Sequence, residues 1–341
     1  EQPEVIERTI SGRLETTSEE IPIKLDQASK YEKIWIVACG TAYHAGLFGK
    51  DLFEKVLGVP VSVELASEFR YREPIVGKND LGIVISQSGE TMDTIAATEL
   101  LKGNGAHVLA LVNVVGSSLA RMADSIFYLH VGPEIGVAST KAYLGMLVGQ
   151  LLLAKHWDSA NKLDVSFDEI AELPKLIEQT MACEKQIKDI SEKIYKKNDI
   201  YFIGRGLDYA LAAEGALKLK EISYLHAEAL AAGELKHGTL ALIENGTPII
   251  VTASQNHLLD KTTSNVQEVI ARGAYVIAIG DNQSEKLENI SDEYVTLPDS
   301  NEILTTVISI IPLQFIAYHV ANLNGESIDQ PRNLAKSVTV E

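Results

Sequence analysis

The sequence predicts an α/β protein built from two copies of a doubly wound, three-layer α/β/α domain with a parallel sheet. Short apolar runs rich in β-branched residues alternate with segments of helical composition, and this order of elements occurs twice along the chain. Strands that alternate with helices form parallel sheets whose two faces are both covered. Right-handed crossovers between the strands then place helices on both sides of each sheet.

An internal repeat is the strongest support for this fold class. Residues 34–40 (IWIVACG) align with residues 200–206 (IYFIGRG) at an offset of 166 positions. Residues 83–88 (IVISQS) align with residues 249–254 (IIVTAS) at the same offset. The second copy keeps the apolar strands but lacks the Ser-Gln-Ser-Gly pattern, which indicates that it serves another purpose.

Each half ends in a long apolar segment, predicted to be a helix over 141–155 in the first half and over 303–323 in the second. The second segment contains Pro312, Gln314 and His319, which a membrane span of that length rarely tolerates, so we interpret it as a buried core helix. Composition changes along the chain then set the predicted domain bounds. They are a linker with one short helix over 1–27, a first domain over 28–160, a charged helical connector over 161–196, and a second domain with its carboxyl-terminal tail over 197–341.

Residues 86–91 (SQSGET) lie where a predicted strand (LGIVI) turns into a predicted helix (MDTIAATELLK). At such a junction backbone N–H groups and the positive end of the helix dipole point at a ligand. The hydroxyls of Ser86, Ser88 and Thr91 can each donate to a phosphate oxygen. The alternative is an ordinary helix cap, in which Ser88 or Thr91 satisfies free N–H groups of the helix.

Residues 39–43 follow the first predicted strand and therefore lie at the same carboxyl edge of the sheet as residues 86–91. Ligands of doubly wound folds bind beyond this edge, at the topological switch point. We therefore predict that the two segments line one pocket.

Residues 211–232 (LAAEGALKLKEISYLHAEALAA) are predicted to be helical throughout. On that helix Glu214, Lys218 and Glu221 fall on one stripe, surrounded by small apolar residues. One interpretation is a solvated salt-bridge face. The other is a buried Lys and Glu whose pKa values are shifted, as proton transfer requires.

Composition excludes several classes of function. The 341 residues carry a net charge of −17, which argues against nucleic acid or an anionic membrane as partner. Two cysteines and eight histidines show no disulfide framework and no metal-ligand spacing, so we expect a cytoplasmic protein without a metal. The absence of G-x-G-x-x-G and of G-x-x-x-x-G-K-[ST] motifs argues against dinucleotide and nucleoside triphosphate, and no cofactor is expected.

Five motifs together resemble one family: ACGTAYHAG, SQSGET, EIGVASTKAY, EGALKLKEISYLHAEALAAGELKHG and the terminus DQPRNLAKSVTVE. They are similar to the isomerase part of the glucosamine-6-phosphate synthases, the glutamine–fructose-6-phosphate amidotransferases. The resemblance covers nearly the whole chain and implies two SIS (sugar isomerase) domains. It also implies a set of substrate-binding residues, namely Thr41, Ser86, Gln87, Ser88, Thr91, Val137, Ser139 and Ala335.

The same resemblance implies four catalytic residues. Lys336 matches the lysine that forms a Schiff base with C2 of fructose 6-phosphate, and Glu221 matches the base that moves a proton between C1 and C2. Lys218 matches a lysine that assists the hydroxyl proton transfers. His237 matches a ring-opening histidine supplied by the partner subunit, which implies a homodimer. Without the resemblance, His237 would be interpreted as a surface residue and Lys336 as part of a disordered tail.

The chain departs from the family pattern in two places. Ala42 stands where the family commonly has serine, so one hydroxyl contact with the phosphate is expected to be missing. The amino-terminal glutaminase domain is absent, so we expect a fragment that isomerises fructose 6-phosphate, or aminates it to glucosamine 6-phosphate when ammonia is supplied. The alternatives are a stand-alone SIS isomerase or deglycase, and a non-catalytic SIS sensor of a sugar phosphate.

Overall fold

The computed structural model describes residues 1–339, which form two compact units. The first unit comprises residues 1–135, 139–174 and 335–339. The second unit comprises residues 136–138 and 175–334.

The first unit is a parallel five-stranded sheet with helices packed on it. The strands are β1 (Lys33–Ala38), β2 (Val61–Leu65), β3 (Asp80–Ser86), β4 (His107–Val112) and β5 (Ser125–Tyr128), in the spatial order β2-β1-β3-β4-β5. The helices are α1 (Gln2–Ile10), α2 (Leu25–Ala28), α3 (Gly40–Leu57), α4 (Ala66–Phe69), α5 (Met92–Gly103), α6 (Ser118–Met122), α7 (Lys141–Trp157) and α8 (Phe167–Ala171). Every residue of β3 is buried, as expected for the central strand of a sheet covered on both faces.

The segment interpreted as a linker contributes to the core of the first unit. Val5 and Ile6 on α1 are fully buried, and α1 packs against α7. The guanidinium of Arg13 lies 4.2 Å from the centre of the Phe127 ring, where it makes a cation–π contact.

The second unit repeats the architecture of the first. After α9 (Leu173–Met181), its helices are α10 (Glu184–Ile194), α11 (Leu207–Ser223), α12 (Leu259–Ile270), α13 (Glu285–Ile290), α14 (Glu302–Ile308) and α15 (Ile310–Leu323). Its strands are β6 (Asp199–Gly204), β7 (His226–Ala231), β8 (Pro248–Ala253), β9 (Tyr275–Gly280) and β10 (Glu293–Thr296), all parallel. The spatial order is β7-β6-β8-β9-β10, which matches the first sheet strand for strand. The predicted fold class and its internal repeat are confirmed.

The predicted helix over 211–232 is wrong for residues 224–232. The helix α11 ends at Ser223, because Tyr224 adopts the left-handed conformation with φ +61° and turns the chain. Residues 226–231 (HAEALA) then pair with β6 as an edge strand, with Ile200 beside Ala227. Their helical composition is overridden by hydrogen bonding to the neighbouring strand.

The predicted helix over 303–323 is a buried core element, but it is interrupted. Its two parts, α14 and α15, meet at Ser309. Pro312 has no N–H and its ring would collide with the carbonyl four residues earlier, so it cannot continue α14 and instead lies in the first turn of α15. The stretch Glu302–Leu323 is long and apolar enough to cross a membrane, yet 83% of its most apolar window is buried inside the protein.

Candidate functional site

The turn at residues 86–91 lies at the topological switch point of the first sheet. In the order β2-β1-β3-β4-β5 the reversal falls between β1 and β3, which pair in parallel from Lys33 beside Asp80 to Val37 beside Val84. Residues 39–43 leave the carboxyl end of β1 and residues 86–91 leave the carboxyl end of β3. The structure therefore brings the two segments to one edge of the sheet, as predicted.

Hydrogen bonds within the turn fix its backbone. The Oγ of Ser86 accepts from the Gly89 N–H at 3.0 Å and lies 3.2 Å from the Oγ1 of Thr91. The Oγ of Ser88 accepts from the Glu90 N–H at 3.2 Å. Gly89 has φ +67°, a conformation that side chains disfavour. Within the described chain Thr91 makes no side-chain capping bond to α5, so a simple helix cap does not explain this hydroxyl.

The carboxyl-terminal tail docks on the same turn. The backbone N–H of Met92, the first residue of α5, donates to the carbonyl of Val338 at 3.2 Å. Two residues earlier in the tail, the Nζ of Lys336 lies 2.8 Å from the Oε2 of Glu134, and its side chain is 27% exposed. Ala335 next to it is exposed. The tail is therefore an ordered part of the first unit, contrary to its interpretation as a disordered segment.

Glu134 is the partner of Lys336, and sequence reasoning did not select it. Its side chain is only 5% exposed and accepts hydrogen bonds from the Ser139 hydroxyl at 2.6 Å and from the Thr140 N–H at 2.8 Å. Burial raises the pKa of Glu134, but the charge of Lys336 and these hydrogen bonds outweigh it and hold the pKa below its ordinary value. The available signal was an acidic residue just before a long apolar helix, where an N-terminal cap is expected.

The remaining predicted substrate contacts have varied positions. Thr41 is half-buried in the first turn of α3, and Gln87 is half-buried with its carbonyl accepting from the Asn113 N–H at 3.2 Å. Val137 belongs to the second unit, where its N–H donates to the carbonyl of Asp329 at 3.0 Å. These positions neither assign nor exclude contact with a ligand, so the roles stay predictions.

The charged stripe of α11 is buried in the second unit. Glu214 is fully buried, Lys218 is 2% exposed, and the side chain of Glu221 is 22% exposed. The Nζ of Lys218 lies 3.2 Å from the Oε1 of Glu214 and 2.5 Å from the Oε2 of Glu221. The solvated-face interpretation is therefore wrong.

The two carboxylates decide the protonation of Lys218. Burial lowers the pKa of this amine, but the charges of Glu214 and Glu221 outweigh burial and raise the pKa above its ordinary value. The amine is held as an ammonium group, which can donate a hydrogen bond or a proton but cannot act as a nucleophile.

His237 lies outside both groups. It is exposed and ends the 3₁₀ helix Ala232–His237, immediately before Gly238 at φ +155°. The predicted residues thus fall into a first-unit group around the turn and the tail, a second-unit group on α11, and a histidine on the surface of the second unit. In residues 1–339 no cluster of three or more His, Cys, Asp or Glu side chains could hold a metal ion.

In the second repeat, the carboxylate of Asp208 is hydrogen-bonded to the turn that corresponds to residues 86–91. Asp208 stands at the position that the repeat pairs with Ala42, and Ser254 at the position paired with Ser88. Asp208 is 1% exposed and accepts from the Ser254 N–H at 3.0 Å and from the Ser254 hydroxyl at 2.6 Å. Burial raises the pKa of Asp208 to about 6, although these hydrogen bonds oppose the shift. The N–H and hydroxyl of Ser254 are thus both bonded to a side chain of the second repeat itself.

Comparisons with known proteins agree with this architecture. The SIS domain family model matches residues 28–155 and 193–323, one match in each repeat. The glutamine–fructose-6-phosphate aminotransferase [isomerizing] of Caldanaerobacter subterraneus is 49% identical over 351 aligned positions. That alignment includes 100% of this chain and 58% of the relative, so the chain spans little more than half the length of such curated relatives.

Solved structures with the same fold include members of the same group of enzymes. The C-terminal domain of glucosamine-fructose-6-phosphate aminotransferase from Francisella tularensis superimposes with a TM-score of 0.90 at 40% identity, covering 96% of both chains. A glucosamine-6-phosphate deaminase from Thermotoga maritima shares the fold at a TM-score of 0.74 and 22% identity. The chain therefore belongs to the SIS domain family and corresponds to the isomerase part of the glutamine–fructose-6-phosphate aminotransferases.

Proposed function

We propose that this chain converts fructose 6-phosphate and ammonia to glucosamine 6-phosphate and water. The curated relatives are enzymes named for this aminotransferase and isomerase chemistry, and the chain matches their isomerase part. A glutaminase domain outside the chain supplies the ammonia, and without ammonia the chain isomerises fructose 6-phosphate to glucose 6-phosphate. The enzyme works as a cytoplasmic homodimer.

The observation that carries the proposal is the docking of the tail on the turn at residues 86–91. The bond from the Met92 N–H to the Val338 carbonyl holds the tail at the amino end of α5. A helix amino end is a natural site for a phosphate group. The reactive amine that the family resemblance assigns, Lys336, is two residues from Val338 and therefore near the sugar of any phosphate bound there.

The proposed mechanism separates the residues that bind the substrate from those that carry out the chemical steps. Ser86, Ser88 and Thr91 hold the phosphate with Gln87, while Thr41, Val137, Ser139 and Ala335 line the sugar. His237 of the other subunit opens the ring, which exposes the C2 ketone. The neutral amine of Lys336 then attacks C2, and loss of water gives an iminium ion. Ammonia then adds to C2 and expels the Lys336 amine, which leaves the C2 imine of the sugar phosphate and a free lysine. Glu221 moves a proton from C1 to C2, and this transfer turns the imine into glucosamine 6-phosphate.

Lys218 supports this proton transfer rather than the covalent step. Its ammonium group lies 2.5 Å from the Oε2 of Glu221 and orients that carboxylate. The same ammonium group can donate to the substrate hydroxyls as their charge changes. These roles follow from the raised pKa of Lys218, which makes it unsuited to attack a ketone.

The test is borohydride reduction of the chain with fructose 6-phosphate, followed by mass spectrometry of a peptide digest. The expected result is one hexose phosphate on Lys336, together with glucosamine 6-phosphate formation from ammonium but not from glutamine. Lys336→Arg should abolish the adduct, since a guanidinium group stays protonated. An adduct on Lys218 would exchange the two lysine roles, and binding without turnover would favour a sugar-phosphate sensor.

A further inference from the structure

We propose that Glu134 is the positioning residue for Lys336, holding its amine at the sugar and serving as counter-ion before and after the covalent step. This inference rests on the proposed function. It concerns a residue to which neither the family motifs quoted above nor the comparisons assign a role.

The two carboxylate oxygens of Glu134 face different partners. Oε1 accepts from the backbone N–H groups of Thr140 and Ala142, at 2.8 and 3.3 Å, at the start of α7. Oε2 accepts from the Ser139 hydroxyl at 2.6 Å and from the Nζ of Lys336 at 2.8 Å. Oε1 therefore binds the side chain to the backbone of α7. Oε2 binds Ser139 and Lys336, two residues that are predicted to contact the substrate.

The scaffold behind Glu134 is rigid. The helix α7 is buried over residues 141–154, and its amino end fixes Oε1 through two backbone donors. With Oε1 held by these donors and Oε2 by the Ser139 hydroxyl, the carboxylate is restrained at both oxygens. A lysine has four rotatable bonds and high conformational entropy, so a bond from Nζ to a fixed oxygen removes much of its freedom.

The carboxylate of Glu134 can stabilise both the lysine before the covalent step and the iminium ion after it, because both carry the same charge. The ammonium group and the ketone give an iminium ion and water, so Nζ carries one positive charge before and after the step. A buried carboxylate 2.8 Å away stabilises that charge in both states. The neutral amine, which must form briefly to attack C2, is stabilised less by Glu134 because it carries no charge.

The test compares Glu134→Gln with the native chain in the borohydride trap. Gln keeps an amide oxygen for Thr140 and Ala142 and presents its NH₂ to Lys336, so the cap on α7 survives while the counter-ion is lost. We expect the maximum trapping rate at Lys336 to fall about 100-fold, as displacement of a reactive group typically costs. The fructose 6-phosphate concentration that gives half of the maximum trapping rate should stay native, because Glu134 acts on Lys336 and is not assigned to the sugar.

Controls separate positioning from folding. Glu134→Gln should bind fructose 6-phosphate with native affinity by calorimetry and melt near the native temperature, and Glu134→Asp should restore part of the maximum trapping rate because it keeps the charge. Ser125→Ala, on β5 of the same unit, removes no partner of Glu134 and should leave the trapping rate unchanged. A native maximum rate in Glu134→Gln would overturn the inference. If the native chain forms no adduct on Lys336, the proposed function fails, and the role of Glu134 falls with it.

Discussion

Asp208 accepts hydrogen bonds from both the backbone N–H and the hydroxyl of Ser254, at 3.0 and 2.6 Å. The two residues follow β6 and β8, the strands that flank the switch point of the second sheet. In the first repeat the equivalent positions are Ala42 and Ser88, so neither of them carries a carboxylate. The two repeats therefore share the strand order but differ at this turn.

The burial of Asp208 makes the free energy of unfolding depend on pH. Burial raises the pKa of Asp208 from 3.8 to about 6, so between these values the folded protein binds more protons than the unfolded chain. Stability contributed by this group is therefore present at about pH 4 and is lost as the pH rises to about 6, by roughly 2–3 kcal/mol. We expect Asp208→Asn to remove this loss, measured by urea unfolding across that range.

The control for Asp208 is Asp260→Asn. The side chain of Asp260 is 86% exposed on the same unit, so its substitution should leave the slope of stability against pH as in the native chain. A native slope in Asp208→Asn would show that Asp208 titrates near its ordinary value in the folded protein.

Removal of one charged partner from the buried ion cluster on α11 should lower the free energy of unfolding. Lys218→Met removes the cation that lies 3.2 Å from the fully buried Glu214, and loss of one partner of a buried ion pair typically costs about 3–5 kcal/mol. We expect a decrease of that order in the free energy of unfolding. The double variant Glu214→Gln with Lys218→Met should recover part of it, since the buried charge is then gone.

An exposed ion pair on the same unit provides the comparison. Lys286 and Asp260 lie 3.3 Å apart with side chains 79% and 86% exposed, so Lys286→Met should change stability by less than about 1 kcal/mol. Equal effects of Lys218→Met and Lys286→Met would mean that burial of the α11 cluster does not control its energetics.

The parts of this protein that were predictable are those fixed by local pattern. The apolar β-branched runs define the central strands, and the hydroxyl-rich turn at residues 86–91 follows from its place between a strand and a helix. The strand β7 was missed because HAEALA has helical composition, and only pairing with β6 makes it a strand. The elements that the sequence did not predict depend on contacts between residues far apart in the chain.

Two site residues show why sequence spacing was insufficient. Glu134 acquires its role from Lys336, which is 202 positions away in the sequence, and Asp208 acquires its role from Ser254, which is 46 positions away. Glu134 opens the motif EIGVASTKAY, but nothing in that motif indicates that its carboxylate pairs with the tail. The partners of Glu134 and Asp208 become neighbours only when the sheet and the tail assemble.

The turn at residues 86–91 should dominate affinity for a sugar phosphate. Hydrogen bonds to a charged group contribute about 1.5–3 kcal/mol each, so Ser86→Ala with Ser88→Ala should weaken binding about tenfold or more by calorimetry. Ser88→Ala alone should show part of this loss and leave the Ser86 bond to Gly89 in place.

Ser125→Ala is the matched control for the turn. Ser125 lies on β5 of the same sheet, where its hydroxyl is 2.9 Å from His107 Nε2, away from the switch point. Its substitution should leave affinity unchanged. Native affinity in the double variant, with native melting, would remove both serines from the site. Fructose without the phosphate should bind poorly to the native chain.

His237 should act across a subunit boundary. It is exposed and belongs to neither buried group, so it is accessible to a second copy of the chain. His237→Ala and Glu221→Gln should each be inactive, because ring opening and C1–C2 proton transfer each contribute about 10²–10⁴-fold. A mixed dimer contains one site with both residues intact, so subunit exchange should restore about a quarter of native activity when half of the dimers are mixed and one of two sites works. Exchange verified by native mass spectrometry, with activity still at zero, would place His237 and Glu221 in the same subunit's site.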